Sequence, residues 1–173
     1  MGVSIIVMGV SGTGKSTVAR ALADRIGAVF IEGDDLHSQE NLEKMESGIP
    51  LKDSDRYPWL QICNRAMREQ NAQGKDAVLT CSSLKKAYRD ALAEDCNAYF
   101  VYLKISKEES LKRVNQRVGH FMPTSMVESQ FEVLEEPEPG EHTIIIESDR
   151  SLDQVVEDVS RRVRRNVLDS GAR

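Results

Sequence analysis

The chain has 173 residues and a formal net charge of −5 at neutral pH. This length predicts one compact domain, and a hydrophobic fraction of 40% is enough to build a core. An acidic chain without a basic tail is disfavoured as a ligand of nucleic acid, and no apolar run approaches the roughly 20 residues of a membrane span. We therefore expect a single domain, residues 1–173, with neither a nucleic-acid nor a membrane partner.

The cysteines indicate a reducing compartment. Cys63, Cys81 and Cys96 are far apart in the sequence and show no C-x-x-C spacing. An odd number of widely spaced thiols argues against a disulfide framework and against a zinc site. Reduced thiols are typical of the cytosol, so the expected localisation is cytoplasmic.

The first element is an apolar strand that runs into a glycine-rich loop. The strand is predicted over Ser4–Met8 and has no polar alternation, as expected when both faces of a parallel sheet are covered. The loop has the P-loop spacing Gly9-x-x-x-x-Gly14-Lys15-Ser16. Its glycines let backbone N–H groups turn towards phosphate oxygens, an approach that side chains would block.

The P-loop predicts a nucleotide site at the start of a helix. Lys15 can reach the β- and γ-phosphates of ATP, and the Ser16 hydroxyl can serve as a ligand of Mg²⁺. The helix, which should end at Gly27, directs its N-terminal dipole at the same phosphates. A glycine-rich strand-to-helix turn without a ligand is the alternative.

A second short strand, Ala28–Ile31, leads into an acidic loop. In a kinase, a carboxylate near the acceptor hydroxyl and the γ-phosphate can accept the hydroxyl proton or hold a water on Mg²⁺. Asp34 is the candidate for this catalytic and metal-binding role, and helix capping is the alternative. His37 is a candidate substrate contact, although a lone loop histidine can equally be structural.

A short helix over Gln39–Glu46 and a long amphipathic helix come next. We expect Asp53 or Ser54 to cap the long helix, which places Arg56 in its first turn. A fixed guanidinium there can bind a carboxylate or phosphate through two parallel hydrogen bonds. An ion pair of Arg56 with Asp53 or Asp55 is the alternative.

The third strand, Ala77–Cys81, precedes a helix that carries Lys85, Lys86 and Arg89 near its start. Cations at a helix N-terminus oppose the helix dipole, and an anionic ligand would explain their presence. A solvated basic face is the alternative. A fourth strand is predicted over Ala98–Leu103.

The next helix, Lys107–Val118, is interrupted around Gly119 and resumes to about Glu135. Arg113, Arg117 and His120 lie around this interruption, where mobile arginines could close over ATP and exclude water. An ordinary exposed helix face is the alternative. A fifth strand, Thr143–Ile146, and a last helix capped by Ser151 complete the chain.

Strands and helices alternate throughout, which predicts an α/β fold with helices on both sides of a parallel five-stranded sheet. Ligands of such sheets bind at the carboxyl ends of the strands. Each candidate residue follows a strand or lies beside a loop that does.

Together these segments resemble the bacterial-type gluconate kinases, a family within the P-loop small-molecule kinases, over nearly the whole chain. Many families share the P-loop, but the segments from 41 to 60 and from 81 to 92 are far more specific. The matching segments are GVSGTGKST at 9–17, GDDLH at 33–37, NLEKM at 41–45, GIPLKDSDRYPWL at 48–60, CSSLKKAYRDAL at 81–92, GHFMP at 119–123 and SQFEVLEEP at 129–137.

The resemblance implies phosphorylation of D-gluconate by ATP at the 6-hydroxyl, giving 6-phosphogluconate and ADP. It also implies Mg²⁺, a homodimer, and a three-layer P-loop kinase fold with a mobile lid at about 113–126. The nucleotide-binding positions are then Gly9, Val10, Ser11, Gly12, Thr13, Gly14, Lys15, Ser16, Thr17, Arg113 and Arg117. The acceptor-binding positions are Asp34, His37, Arg56, Lys85, Arg89 and His120, with Ser16 and Asp34 at the metal.

The chain departs from the family pattern at Ser38, where proline often follows the histidine; this difference concerns loop stiffness more than chemistry. Two other functions fit the same residues. A related kinase acting on another sugar acid or on shikimate would share every motif. A non-catalytic nucleotide-binding regulator would keep the P-loop but would have no need of Asp34 or the cations. The residues alone predict ATP and a small anionic acceptor, and only the resemblance specifies gluconate.

Overall fold

A computed structural model describes residues 2–116, 124–140 and 142–169. Five parallel strands form one sheet with the spatial order β2-β3-β1-β4-β5. The predicted α/β class with a parallel five-stranded sheet is therefore confirmed. The strands are β1 (Ser4–Met8), β2 (Val29–Glu32), β3 (Ala77–Thr80), β4 (Ala98–Lys104) and β5 (Thr143–Glu147).

Helices connect the strands, and a short 3₁₀ turn, Gly33–Leu36, directly follows β2. The described residues include no helix that is both long and apolar enough to cross a membrane. The helices are α1 (Lys15–Ile26), α2 (Gln39–Glu46), α3 (Asp53–Ala72), α4 (Lys86–Ala93), α5 (Lys107–Gln116), α6 (Thr124–Val133) and α7 (Leu152–Val163), the last extended by a wider turn, Arg164–Leu168.

The central strand β1 organises two hydrophobic layers, because successive side chains point to opposite faces of the sheet. Ile5 and Val7 join a cluster that includes buried residues of α1 and α7. Ile6 and Met8 join a second cluster with buried residues of α3 and α4. All five β1 residues are buried, which explains the unbroken apolar run. The sheet thus has helices on both faces. The carboxyl ends of its parallel strands lie together along one edge of the sheet.

Most predicted boundaries hold within one or two residues, and α1 ends as expected. Gly27 has a φ of 70° and donates its N–H to the carbonyl of Ala23. Glycine adopts this left-handed conformation without the steric cost that a Cβ imposes.

The expected cap of α3 is wrong. Lys52, not Asp53 or Ser54, occupies the cap position, and its N–H donates to the carboxylate of Asp55 at 2.9 Å. A carboxylate in the first turn can reach back to the cap N–H, and this leaves Asp53 available for other contacts.

The start of α4 also differs from the prediction. The helix begins at Lys86 because Ser83 has a left-handed φ of 52° and Lys85 is extended. The Glu135 carboxylate accepts a hydrogen bond from the Lys86 N–H at 2.8 Å, which satisfies one free donor at the helix start. Lys85 therefore lies in a loop ahead of the helix.

Candidate active site

The parallel strands bring the predicted segments to one edge of the sheet. The P-loop follows β1, Asp34 follows β2, and Lys85 follows β3. The Gly9 N–H donates to the carbonyl of Ser82 at 3.2 Å, so the P-loop and the segment after β3 are in direct contact. Segments that are distant in sequence therefore share the edge where open α/β sheets bind ligands.

The P-loop backbone has the conformation that its glycines permit. Gly9, Gly12 and Gly14 have φ angles of 147°, 87° and 81°. A Cβ at Gly9 would lie 2.8 Å from the carbonyl oxygen of Leu103, so this position excludes a side chain on steric grounds as well. Turns of this kind point backbone N–H groups into a concave anion site.

Two helices from later in the chain, α5 and α6, fix the loop. The Ser11 N–H donates to the Gln130 side chain of α6 at 2.8 Å, and the Ser110 hydroxyl of α5 donates to the Ser11 carbonyl at 2.6 Å. The Thr13 hydroxyl donates back to the Val10 carbonyl at 3.2 Å. The loop is thus pre-organised by its surroundings.

Lys15 lies across this loop. Its Nζ donates to the carbonyls of Gly9 at 3.0 Å and Val10 at 3.1 Å. These contacts hold the ammonium group over the loop. The arrangement can present a cation to phosphate oxygens that enter the loop.

Sequence reasoning missed Glu32, the last residue of β2. Its carboxylate accepts hydrogen bonds from the Ser16 hydroxyl at 2.7 Å and from the Thr80 hydroxyl at 2.5 Å. The signal available was an acid directly after the predicted strand Ala28–Ile31, at the start of the loop that carries Asp34. Glu32 orients the serine that the P-loop motif assigns to Mg²⁺.

The oxygens of Ser16 and Glu32 match the ligand preference of Mg²⁺. Within residues 2–116, 124–140 and 142–169 no group of three or more His, Cys, Asp or Glu side chains could hold a metal ion. Mg²⁺ in kinases is commonly held by one or two protein oxygens together with phosphates and water. The residues therefore fit a magnesium ion that arrives with a nucleotide.

Asp34 lies in the 3₁₀ turn after β2, with 82% of its side chain exposed. Its Oδ1 is 3.9 Å from Nε2 of His37. An exposed carboxylate at this edge is accessible to an acceptor hydroxyl. The backbone of the turn, not a packed side chain, sets its position.

His37 is a packed residue, with only 3% of its side chain exposed. Its ring stacks on Trp59 with centroids 4.0 Å apart, and Nδ1 lies 3.3 Å from the Asn41 amide nitrogen. Burial lowers the pKa of His37, the nearby carboxylate of Asp34 acts in the opposite direction, and Arg56 lowers it further. The ring is therefore neutral at physiological pH.

Trp59 ties this pair to the sheet. Its indole N–H donates to the Gly33 carbonyl at 2.8 Å, and the Gly33 N–H donates to the Thr80 hydroxyl at 3.1 Å. A Cβ at Gly33 would lie 2.0 Å from the Thr80 carbonyl oxygen. Only glycine lets β2 lead into the Asp34 turn so close to β3.

Four further side chains, here called the Tyr88 cluster, come from α3, the loop before α4 and α4 itself: Asp53, Arg56, Lys85 and Tyr88. The Tyr88 hydroxyl donates to Asp53 Oδ1 at 2.5 Å, and Lys85 Nζ donates to the same oxygen at 3.4 Å. The Arg56 guanidinium and Lys85 Nζ each lie 5.5 Å from the centre of the Tyr88 ring. Two predicted acceptor cations, Arg56 and Lys85, are thus brought together around one aromatic ring.

The structure does not show the alternative ion pair of Arg56. Asp55 pairs instead with Lys44 at 2.8 Å, and Asp53 pairs with Lys85. Within the described part of the chain, the one side-chain hydrogen bond of Arg56 runs from Nε to the Leu51 carbonyl at 3.4 Å. Both terminal nitrogens of its guanidinium remain available to an anion.

Arg89 has a different setting from the other predicted cations. It is buried, and its guanidinium donates to the carbonyls of Ser83 at 2.7 Å, Leu84 at 3.3 Å and Glu135 at 2.8 Å. Burial lowers its pKa from the ordinary value. These contacts make Arg89 an anchor of the loop that carries Lys85, and direct contact with an acceptor stays a prediction.

Arg113 joins α5 to two loops at the sheet edge. Its guanidinium donates to the carbonyls of Gly12 at 3.3 Å, Ser148 at 2.6 Å and Arg150 at 3.0 Å. Its Nε also pairs with Glu109 at 3.0 Å. The predicted residues Arg117 and His120 lie outside the described residues.

The edge therefore offers three kinds of chemistry side by side. The P-loop with Lys15 can bind and neutralise phosphates. The exposed carboxylate of Asp34 can accept a proton. Arg56 and Lys85 can hold a second anionic group. This combination fits phosphoryl transfer to an anionic acceptor.

Comparison with known proteins agrees with this chemistry. A family model described as an AAA domain matches residues 5–137. The gluconokinase of Gluconobacter oxydans (strain 621H) is 48% identical over 158 residues, which cover 91% of this chain and 89% of that protein. The thermosensitive gluconokinase of Escherichia coli (strain K12) is 44% identical over 145 residues, which cover 83% of this chain and 78% of that protein.

A solved structure is also similar along nearly its whole length. The crystal structure of a gluconokinase from Sinorhizobium meliloti 1021 superposes with a TM-score of 0.84 at 42% sequence identity. The superposition covers 94% of this chain and 92% of that one. Sheet, helices and P-loop therefore belong to one shared architecture.

Proposed function

The chain belongs to the gluconokinase family of P-loop kinases, and on that premise we propose that it transfers the γ-phosphoryl group of ATP to the 6-hydroxyl of D-gluconate. The products are 6-phosphogluconate and ADP. The observation that carries this proposal is the similarity to a gluconokinase over 91% of the chain, at 48% identity. The P-loop, the exposed acid and the paired cations supply the groups that such a reaction needs.

At the nucleotide, the P-loop N–H groups and the start of α1 bind the phosphates. Lys15 lies at the mouth of this loop and offsets the negative charge of the transferring group. Ser16, Glu32 and Asp34 would hold Mg²⁺, either directly or through water. When bound, the ion supplies positive charge to the β- and γ-phosphate oxygens.

At the acceptor, Asp34 is the proposed base. As the 6-hydroxyl oxygen forms its bond to the γ-phosphorus, the bond from that phosphorus to the β-phosphate oxygen breaks, and ADP leaves. The hydroxyl proton passes to the Asp34 carboxylate, which is exposed at the same edge. Neutral His37 is fixed by Trp59 beside Asp34, and its direct contact with the acceptor stays a prediction because only 3% of its side chain is exposed.

At the far end of the acceptor, Arg56 and Lys85 bind the carboxylate of the sugar acid. Arg56 has two terminal nitrogens to offer, and Lys85 Nζ lies at the same distance from the centre of the Tyr88 ring, 5.5 Å. Binding the remote charge orients the hydroxyl towards the γ-phosphate, so that binding energy is used for alignment. Arg89 supports this clamp by anchoring the Lys85 loop.

Several features of the family extend the proposal. Arg113 and Arg117 contact the nucleotide, His120 contacts the acceptor, and the segment at about 113–126 acts as a lid over both. The enzyme works as a cytoplasmic homodimer. Arg113 supports the first of these points because it already contacts the Gly12 carbonyl of the P-loop.

The test is an ADP-release assay of the purified protein with Mg²⁺ and ATP. The acceptors are D-gluconate, other sugar acids, shikimate and no acceptor at all. We expect ADP release that depends on D-gluconate, with stoichiometric formation of 6-phosphogluconate. Preference for another acid would reassign the acceptor, and equal ATP turnover without any acid would overturn the kinase proposal.

A further inference from the structure

The Tyr88 cluster contains a charge that an anion-binding site does not need. Arg56 and Lys85 are both cations, yet the Asp53 carboxylate accepts a hydrogen bond from Lys85 Nζ at 3.4 Å. A site built only to bind anions tightly would leave this position neutral. The carboxylate reduces the formal charge of the cluster from +2 to +1.

The position of Asp53 is well determined. The buried Tyr88 donates its hydroxyl to Asp53 Oδ1 at 2.5 Å, and Tyr57 packs edge-on against the Tyr88 ring at 6.0 Å. This hydrogen bond, together with Lys85 and Arg56, lowers the pKa of Asp53. Burial and Asp53 raise the pKa of Tyr88, so the tyrosine stays protonated and continues to donate. Asp53 is therefore ionised at neutral pH.

We propose that Asp53, held by Tyr88, sets the charge of the acceptor site to match a monoanion and to reject dianions such as sulfate or a phosphate group. The inference rests on the proposed function, in which Arg56 and Lys85 bind the carboxylate of the acceptor. A monocarboxylate neutralises a +1 cluster. A dianion would leave an excess negative charge beside the Asp53 carboxylate.

The charge dependence gives the proposal a quantitative form. An exposed unit charge changes the affinity for a monoanion by up to about fivefold. Coulomb energy is proportional to the charge of the ligand, so the Asp53 charge changes the affinity for a dianion by up to about 25-fold. Removing the Asp53 charge should therefore shift the ratio of dianion to monoanion affinity by up to about fivefold.

The test uses Asp53→Asn, which keeps the shape of the side chain and removes its charge. The protein is first saturated with Mg²⁺ and a non-hydrolysable ATP analogue, so that the P-loop cannot bind the added anion. Sulfate and gluconate are then titrated separately by calorimetry at constant ionic strength. We expect the variant to bind both more tightly than the wild type, with a several-fold larger gain for sulfate.

Two further variants make the result specific. Asp53→Ser is also neutral and is favourable at a helix start, so it should reproduce the shift if Asp53→Asn folds poorly. Asp90→Asn is the matched control, because Asp90 pairs with Lys86 at 3.0 Å on the exposed side of α4. It removes the same charge and should change either affinity less than about twofold.

The outcomes separate this inference from the proposed function. Weaker gluconate binding in both Asp53 variants would overturn it, since Asp53 would then bind an acceptor hydroxyl. Equal gains for sulfate and gluconate, no gain, or the same gain in Asp90→Asn would also overturn it. If wild-type protein binds sulfate but not gluconate, the proposed acceptor is wrong, while the sulfate comparison still tests Asp53.

Discussion

The phosphate end and the acceptor end of this site are built in different ways. The P-loop is a run of consecutive residues whose backbone forms the site, and the spacing and φ angles of its glycines are local properties, although distant side chains also hold it. The Tyr88 cluster consists of side chains whose contacts join residues 32 and 35 positions apart in the chain. A backbone site can be recognised from residue spacing alone, whereas a side-chain site becomes visible only when the fold brings its members together.

The comparison predicts that changes at the phosphate end abolish turnover for every acceptor. Lys15→Ala should lower kcat by about 10²–10³-fold or more, the scale for removing one group that stabilises the transition state. The fold should persist, because the Lys15 ammonium contacts loop carbonyls and no hydrophobic cluster. Steady-state kinetics and thermal unfolding measure the two effects.

The control for Lys15 is Lys75→Ala, an exposed lysine just before β3. It should leave kcat within about twofold, as is usual for a surface substitution. A folded Lys15→Ala protein with wild-type kcat would contradict the P-loop assignment.

The next effect concerns the acid between the two ends. Asp34→Asn should lower kcat by roughly 10²-fold, the scale for losing general-base help, with the affinity for ATP nearly unchanged. Asp35→Asn is the matched control, because Asp35 is an exposed acid in the same 3₁₀ turn. Loss of ATP affinity with kcat intact, or equal losses in the two variants, would assign Asp34 a structural role.

At the acceptor end, Arg89→Ala tests whether this cation binds substrate or anchors the loop. It leaves three carbonyl acceptors without their donor, which should reduce the free energy of unfolding by about 1–3 kcal/mol. Arg56→Ala should reduce the free energy of unfolding by less than about 1 kcal/mol, because within the described residues Arg56 donates one side-chain hydrogen bond, and that bond is long.

Denaturant unfolding at fixed pH measures both Arg variants. If Arg89→Ala is as stable as the wild type but has a raised KM for gluconate, Arg89 binds the acceptor directly and does not act as a loop anchor. The comparison thereby separates side chains that shape the acceptor end from those that contact the substrate.

The smallest expected effect is a pH dependence of stability from His37. Burial lowers its pKa in the folded protein from the ordinary 6.5, so below pH 6.5 the unfolded chain binds a proton that the folded chain does not. Protonation of His37 therefore leaves the free energy of unfolding unchanged above pH 6.5 and lowers it as the pH drops from 6.5 towards the pKa of the folded protein.

The matched variant is His37→Phe, which keeps a ring on Trp59 but cannot titrate. Between pH 7.5 and pH 5.5 its Tm should fall less than that of the wild type. Parallel pH profiles of the two proteins would show that His37 is not held neutral.

The sequence was sufficient for the sheet and for the phosphate end. The spacing of apolar residues, the positions of glycines and the P-loop spacing are all local signals. The elements β1, α1 and α2 accordingly have the expected bounds. At the proposed acceptor end, the sequence predicted Arg56 and Lys85 as candidates but not their arrangement around Tyr88, and their contact with an acceptor stays a prediction. A buried tyrosine in a helix occupies the same kind of sequence position whether it only packs in the core or also donates a hydrogen bond to a carboxylate, as Tyr88 does.

The wrong predictions at the starts of α3 and α4, and the omission of Glu32, have causes that only the contacts in the folded protein reveal. Lys52 rather than Asp53 is the cap residue of α3, because the Asp55 carboxylate accepts the Lys52 N–H, and this leaves Asp53 for Tyr88. Ser83 adopts a left-handed φ that few residues other than glycine tolerate, and the Arg89 guanidinium of α4 donates to its carbonyl. Glu32 was passed over because the sequence does not show which of the acids at or after the end of β2 contacts Ser16.

The central claim is that the acceptor end recognises a carboxylate through Arg56 and Lys85. The most direct measurement is the ratio of kcat/KM for gluconate to kcat/KM for glucose, which lacks that carboxylate. A charge-assisted contact is worth about 1.5–3 kcal/mol, so we expect a ratio of at least roughly 10–100 in the wild type and a much smaller one in Arg56→Ala, with Lys86→Ala as the control that keeps it. Equal efficiency with glucose and gluconate in the wild type would contradict the claim.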